Sequence, residues 1–133
     1  MPWWGFAYLI LFLALCCGGI YLDITQPEPI WYTVADGLSA LCSITAILAF
    51  WHPLVAGALG GFLFGTTLYA LIWDCFSLEY DLRSEFPDPE LTDDENRVGS
   101  VLATAISFAF CLPAYYFGFV TAYDQVRAAT PAV

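Results

Sequence analysis

Four long apolar stretches joined by polar links carry this chain, and most of its charge is confined to one link. That pattern limits the fold more than any motif does. Residues 3–22, 30–51, 54–73 and 99–123 each supply about the 20 residues that a helix rising 1.5 Å per residue needs to cross roughly 30 Å of hydrocarbon. The 133 residues are 60% hydrophobic and 12% charged, with a mean hydropathy of +0.71. A soluble domain of this size has too much surface to hide so much apolar side chain, and would carry about 25% charged residues. The sequence therefore predicts an all-α, multi-pass integral membrane protein. Its 1–133 form one domain, a bundle of four transmembrane helices with an acidic loop, 74–98, between the third and fourth.

The links fit that scheme. The first run is preceded only by Met-Pro, with no basic residue, so it reads as a retained span rather than a cleaved signal peptide. Pro27 and Pro29 break the chain before the second span. His52-Pro53 leaves so short a link that spans two and three must form an antiparallel hairpin. Trp3, Trp4, Trp31, Trp51 and Trp73 fall at span ends, where the amphipathic indole ring prefers to sit. Thr92 followed by Glu95 has the form of a capping box, and Asp93, Asp94 and Glu95 complement a helix dipole. The fourth helix is thus expected to start near Thr92 and project beyond the lipid. Pro113 is expected to kink it.

Charge excludes several functions. The chain has no Lys, only Arg83, Arg97 and Arg127, and a net charge of −10. A nucleic acid or a polybasic lipid anchor needs the opposite sign. Counting spans puts every acid except Asp124 on one side of the membrane. The five cysteines show no zinc spacing and read as small buried packing residues. His52 is the only histidine and sits in a turn, unsuited to haem or metal ligation. No P-loop, nucleophile elbow, HExxH or EF-hand pattern occurs. No residue set is assigned as catalytic, cofactor-binding or metal-binding, and the chain is not expected to be an enzyme.

Three features remain. Asp36 lies about 9 Å into the second span, and an ionisable group at that depth is a functional candidate by default. Tyr32, Asp36, Ser39 and Ser43 share one helix face, as do Thr104, Ser107, Cys111 and Tyr115 on the fourth span. With Arg97 as the expected partner of Asp36, the group Asp36, Ser39, Ser43 and Arg97 forms a candidate intramembrane polar site. Gly57, Gly61 and Gly65 repeat at four-residue spacing and form a candidate helix-packing stripe. Glu79, Asp81, Glu85, Asp88 and Glu90 form a candidate docking surface. Together these predict a non-catalytic membrane subunit or regulatory partner surrounded by lipid, contacting other membrane subunits or copies of itself. A small oligomeric channel or transporter using Asp36 is the alternative.

Overall fold

The computed structural model describes residues 1–25, 29–83 and 93–130. These are helical: α1 (Trp3–Thr25), α2 (Ile30–Trp51), α3 (Pro53–Leu59), α4 (Phe62–Arg83) and α5 (Asp93–Ala129). Three helices are long and apolar enough to cross a membrane, or four if the bent pair α3–α4 counts as one span.

Helix α2 occupies the centre and touches all four others. The two ends of the molecule are marked by tryptophan pairs. Trp4 meets Trp51 edge-on at 5.2 Å, and Trp31 meets Trp73 at 6.2 Å. These contacts align the start of α1 with the end of α2, and the start of α2 with the later part of α4.

The third apolar stretch is not one straight helix over 54–73. It divides at Gly60-Gly61, and the two parts are bent by 91°. Gly60 has φ 50° and ψ −132°, a conformation that residues with a Cβ avoid. Backbone groups at the break are satisfied locally: Gly60 N–H donates to the Ala56 carbonyl at 2.9 Å, and Phe64 N–H to the Gly61 carbonyl at 3.2 Å. Pro53 opens α3, where its missing N–H costs nothing. The bend carries Ala56 into a cluster with Ala46, Ala49, Leu63 and Ala122.

The helix also outlasts its apolar stretch. The acidic loop expected from residue 74 does not begin there, because Asp74–Arg83 continue α4. A charged residue ends a hydropathy window but leaves the backbone hydrogen-bond ladder intact. At the other boundary α5 begins at Asp93, directly after Thr92, which is outside the described residues. Its 37 residues extend about 55 Å, far more than about 30 Å of hydrocarbon requires. It runs through Pro113 as a single helix.

Packing between α2, α4 and α5 rests on small side chains. On α4, Leu63, Thr67 and Ala70 are buried at spacings of four and three, so one face of the helix is inside. Against them pack Ser39 and Ala46 of α2, and Gly118 and Ala122 of α5; Ser43 of α2 and Ala114 of α5 are also buried. The tightest point is Gly118. A Cβ there would collide with the Thr67 side chain and lie 3.0 Å from the Ala46 Cβ. Thr67 has little freedom to yield, because its hydroxyl donates to the Leu63 carbonyl at 2.7 Å. Gly118→Ala should therefore cost about 1–3 kcal/mol, the usual range for an overpacked core. Thermal unfolding in detergent, followed by circular dichroism, measures it. Adding Thr67→Ala should recover part of the loss, and a double variant no better than Gly118→Ala would refute the assigned collision.

Candidate functional site

Continuing the buried face of α4 by one more turn, from Leu63, Thr67 and Ala70, arrives at Asp74. Its carboxylate thus points into the seam between α2, α4 and α5. Ser39 of α2 donates through Oγ to Asp74 Oδ1 at 2.7 Å and also lies 3.5 Å from the Ala70 carbonyl. The Tyr115 hydroxyl of α5 donates to Asp74 Oδ2. Cys111, one turn before Tyr115, borders both groups, and Cys16 of α1 is within electrostatic reach of Asp74. One carboxylate therefore ties three helices together through neutral donors.

Asp36 lies one turn from Ser39 on α2. Its Oδ1 accepts from Trp73 Nε1 at 3.3 Å. The Tyr69 hydroxyl, one turn before Trp73, donates to the Ala35 carbonyl at 3.2 Å. Adjacent residues of α4 thus serve the two carboxylates: Trp73 binds Asp36, and Asp74 supplies the second acid. Trp31, Tyr32 and Phe76 surround the Trp73 ring.

The two polar stripes read from the sequence meet at this point. Ser39 from one and Tyr115 from the other converge, but through Asp74, which had been placed in the loop. The signal for Asp74 was present in the four-three-four spacing of Leu63, Thr67, Ala70 and Asp74. Ser43 is buried one turn from Ser39 on the same face. The side chains of Arg97, Thr104, Glu79 and Asp81, and the whole of Glu85, Asp88 and Glu90, lie outside the described residues. Gly57 falls on α3, Gly61 at the break and Gly65 in the first turn of α4. Among the described residues, a Cβ added at any of the three meets nothing within 4 Å. The close-packed glycine of the seam is instead Gly118, which belongs to no repeat.

A second polar contact holds α1. The Tyr8 hydroxyl donates to the Phe110 carbonyl of α5 at 2.9 Å, just before the ladder is interrupted at Pro113. Tyr8, Phe12, Ile47 and Phe117 pack around it. Among the described residues no group of three His, Cys, Asp or Glu side chains is arranged to hold a metal ion. The chain matches no protein-family model, no curated protein and no solved structure.

Tyr115→Phe keeps the ring and removes only the hydroxyl from Asp74. It should cost about 1–3 kcal/mol, as expected when a buried acceptor loses a donor. The same thermal unfolding in detergent reads it, and stability equal to wild type would show that this bond contributes nothing.

Proposed function

We propose that this chain is a non-catalytic multi-pass membrane protein that assembles with other membrane subunits or with further copies of itself. The bent pair α3–α4 is the third of its four spans. The observation carrying the reading is the outer face of α4. Gly65, Leu68, Ile72 and Phe76 fall on one side of that helix and are exposed, and Gly61, directly before its first residue, is exposed as well. They lie opposite the buried face formed by Leu63, Thr67, Ala70 and Asp74. Among the described residues nothing lies within 4 Å of a Cβ added at Gly61 or Gly65. Small residues in an apolar helix allow a neighbouring backbone to come close, so this face suits a partner helix better than it suits this bundle. Glu79, Asp81, Glu85, Asp88 and Glu90 would give the same partner an acidic contact beyond the lipid.

Gly65→Leu separates assembly from folding. The open space over Gly65 predicts unchanged thermal stability of the isolated chain. The particle mass in mild detergent, measured by light scattering, should fall to that of a single chain. A wild-type particle that is already a single chain, with no co-purifying subunit, would end the proposal.

One observation favours a second reading, a small channel or transporter. Asp36, Ser39, Asp74 and Tyr115 form a polar line between α2, α4 and α5, and intramembrane ionisable groups commonly mark ion or proton paths. In this reading proteoliposomes show cation or proton flux, and Asp36→Asn lowers it at least about tenfold, a factor worth 1.4 kcal/mol. No flux above empty liposomes, or equal flux in the variant, excludes it.

A further inference from the structure

The bend of 91° at Gly60-Gly61 fixes where α3 lies, because α4 takes its direction from its contacts with α2. Ser39 Oγ lies 3.5 Å from the Ala70 carbonyl, Trp73 bonds Asp36, and Leu63 clusters with Ala46. Rising residue numbers on one helix meet falling numbers on the other, so α4 runs antiparallel to α2. That register puts Phe62 roughly level with Ile47, one turn short of Trp51. A helix perpendicular to α4 at this level does not change depth along its length. Helix α3 therefore lies across the end of the bundle, with His52 and Gly60 at heights that differ by no more than about one helical turn, 5.4 Å.

This is the end that Trp3, Trp4 and Trp51 occupy, with Trp4 and Trp51 packed edge-on. Indole rings gather where acyl chains give way to headgroups, in a zone about 5–8 Å deep on each side of the hydrocarbon. The level of α3 is thus the level of the membrane boundary.

Its side chains suit that place. Between Pro53 and Leu59 no side chain is polar. Ala56 is buried, and Val55 and Leu59 pack against the same cluster. Leu54, Gly57 and Ala58 fall on the other side of the helix and are exposed. Leu54 is 89% exposed, and Phe62, just past the bend, is 75% exposed. Water is a poor neighbour for such a patch. Deep hydrocarbon is a poor neighbour for a seven-residue helix, because most of its amides and carbonyls belong to end turns with incomplete helical bonding. At the boundary both demands are met, since apolar side chains reach the acyl chains while water and headgroup oxygens reach the backbone. The crossing does not need α3, because α4 has 22 residues, as α2 has.

We propose that α3 is an in-plane lipid anchor. It seats Leu54 and Phe62 among acyl chains just beneath the headgroups, in the leaflet that holds Trp3, Trp4 and Trp51, and leaves α4 to cross the membrane. The partner of this face is lipid. The anchor rests on the bent pair being the third span; it goes beyond assembly through α4 and stands whether or not Gly65→Leu disrupts a complex.

Probe depth tests it. A fluorescent amino acid inserted by codon suppression replaces Leu54, Ala58, Phe62 or Leu68, one at a time, in the full chain reconstituted in phosphatidylcholine vesicles. All four positions are exposed. Quenching by lipids that carry a nitroxide near the headgroup is compared with quenching by lipids that carry it near the chain end. The anchor requires the probes at 54, 58 and 62 to lie within about one helical turn, 5 Å, of a single depth, with the shallow nitroxide the better quencher. The probe at 68, about 9 Å along α4 from Phe62, should lie deeper. In a straight span Leu54 and Phe62 would differ in depth by about 12 Å, and that result with a deep Leu68 overturns the anchor alone. Leu68 as shallow as Phe62 overturns the third span and the anchor with it. Probes at 54 and 58 that neither lipid quenches overturn lipid as the partner, whether water or a second copy covers them. Either of these two positions, compared with Phe62, decides the matter if the other variant fails to fold.

Discussion

The close approach of α4 to α5 at Thr67 and Gly118, with Ala46 of α2 completing the contact, is the constraint from which the rest of the seam follows. Lipid tails are as apolar as leucine, so membrane helices gain little by hiding apolar surface from them. They adhere by dispersion contacts and hydrogen bonds, both of which require the backbones to come close. Gly118 and the alanines at 46, 70 and 114 remove the side-chain bulk that would hold the helices apart. Two turns along α4 from Thr67, that proximity brings the Asp74 carboxylate within reach of Ser39 and Tyr115. A wider seam would leave the same carboxylate with nothing to accept.

The break at Gly60-Gly61 serves the same seam. A straight helix from Pro53 would carry α3 along the axis of α4 and away from the end of α2. The bend of 91° instead turns α3 across that end, where Ala56 packs with Ala46, Ala49 and Ala122. The turn is possible because Gly60 has no Cβ, and because the freed backbone groups find acceptors within a few residues. In hydrocarbon an unsatisfied amide costs several kcal/mol, which is why irregular backbone in a membrane needs such closure.

Much of this was legible in the sequence, and the misses have physical causes. Hydropathy and helix length located α2 at 30–51, and a polar face on α2 and another on α5 followed from four-three spacing. Asp74 was lost because apolar counting stops at the first charge, whereas a helix stops only where its hydrogen bonds do. The regular glycines at 57, 61 and 65 read as packing residues within the protein or between subunits; among the described residues they make no close contact inside this chain, while the isolated Gly118 packs tightly. Spacing reveals which residues share a helix face. It does not reveal which face a second helix covers, and that depends on the path of the chain after Gly60.

The same physics distinguishes α1 from the other spans. Only 11% of its apolar window is buried within the protein, and Trp3, Phe6, Ile10, Leu11 and Leu15 all face outward. In water such exposure would drive collapse; against lipid it carries almost no penalty, so nothing forces α1 deeper into the bundle. Its attachment rests on specific contacts: Trp4 and Gly5 against Trp51, Phe12 in the core with Ile47 and Phe117, and the Tyr8 bond to the Phe110 carbonyl. That bond reaches α5 beside Pro113, where the ring cannot donate to the Ala109 carbonyl and the helix ladder is already weakened. The Tyr8 hydroxyl bonds the next carbonyl, that of Phe110, directly before Cys111, which α5 presents to Asp74. The outermost span and the half-buried carboxylate are linked through one interrupted turn of a single helix.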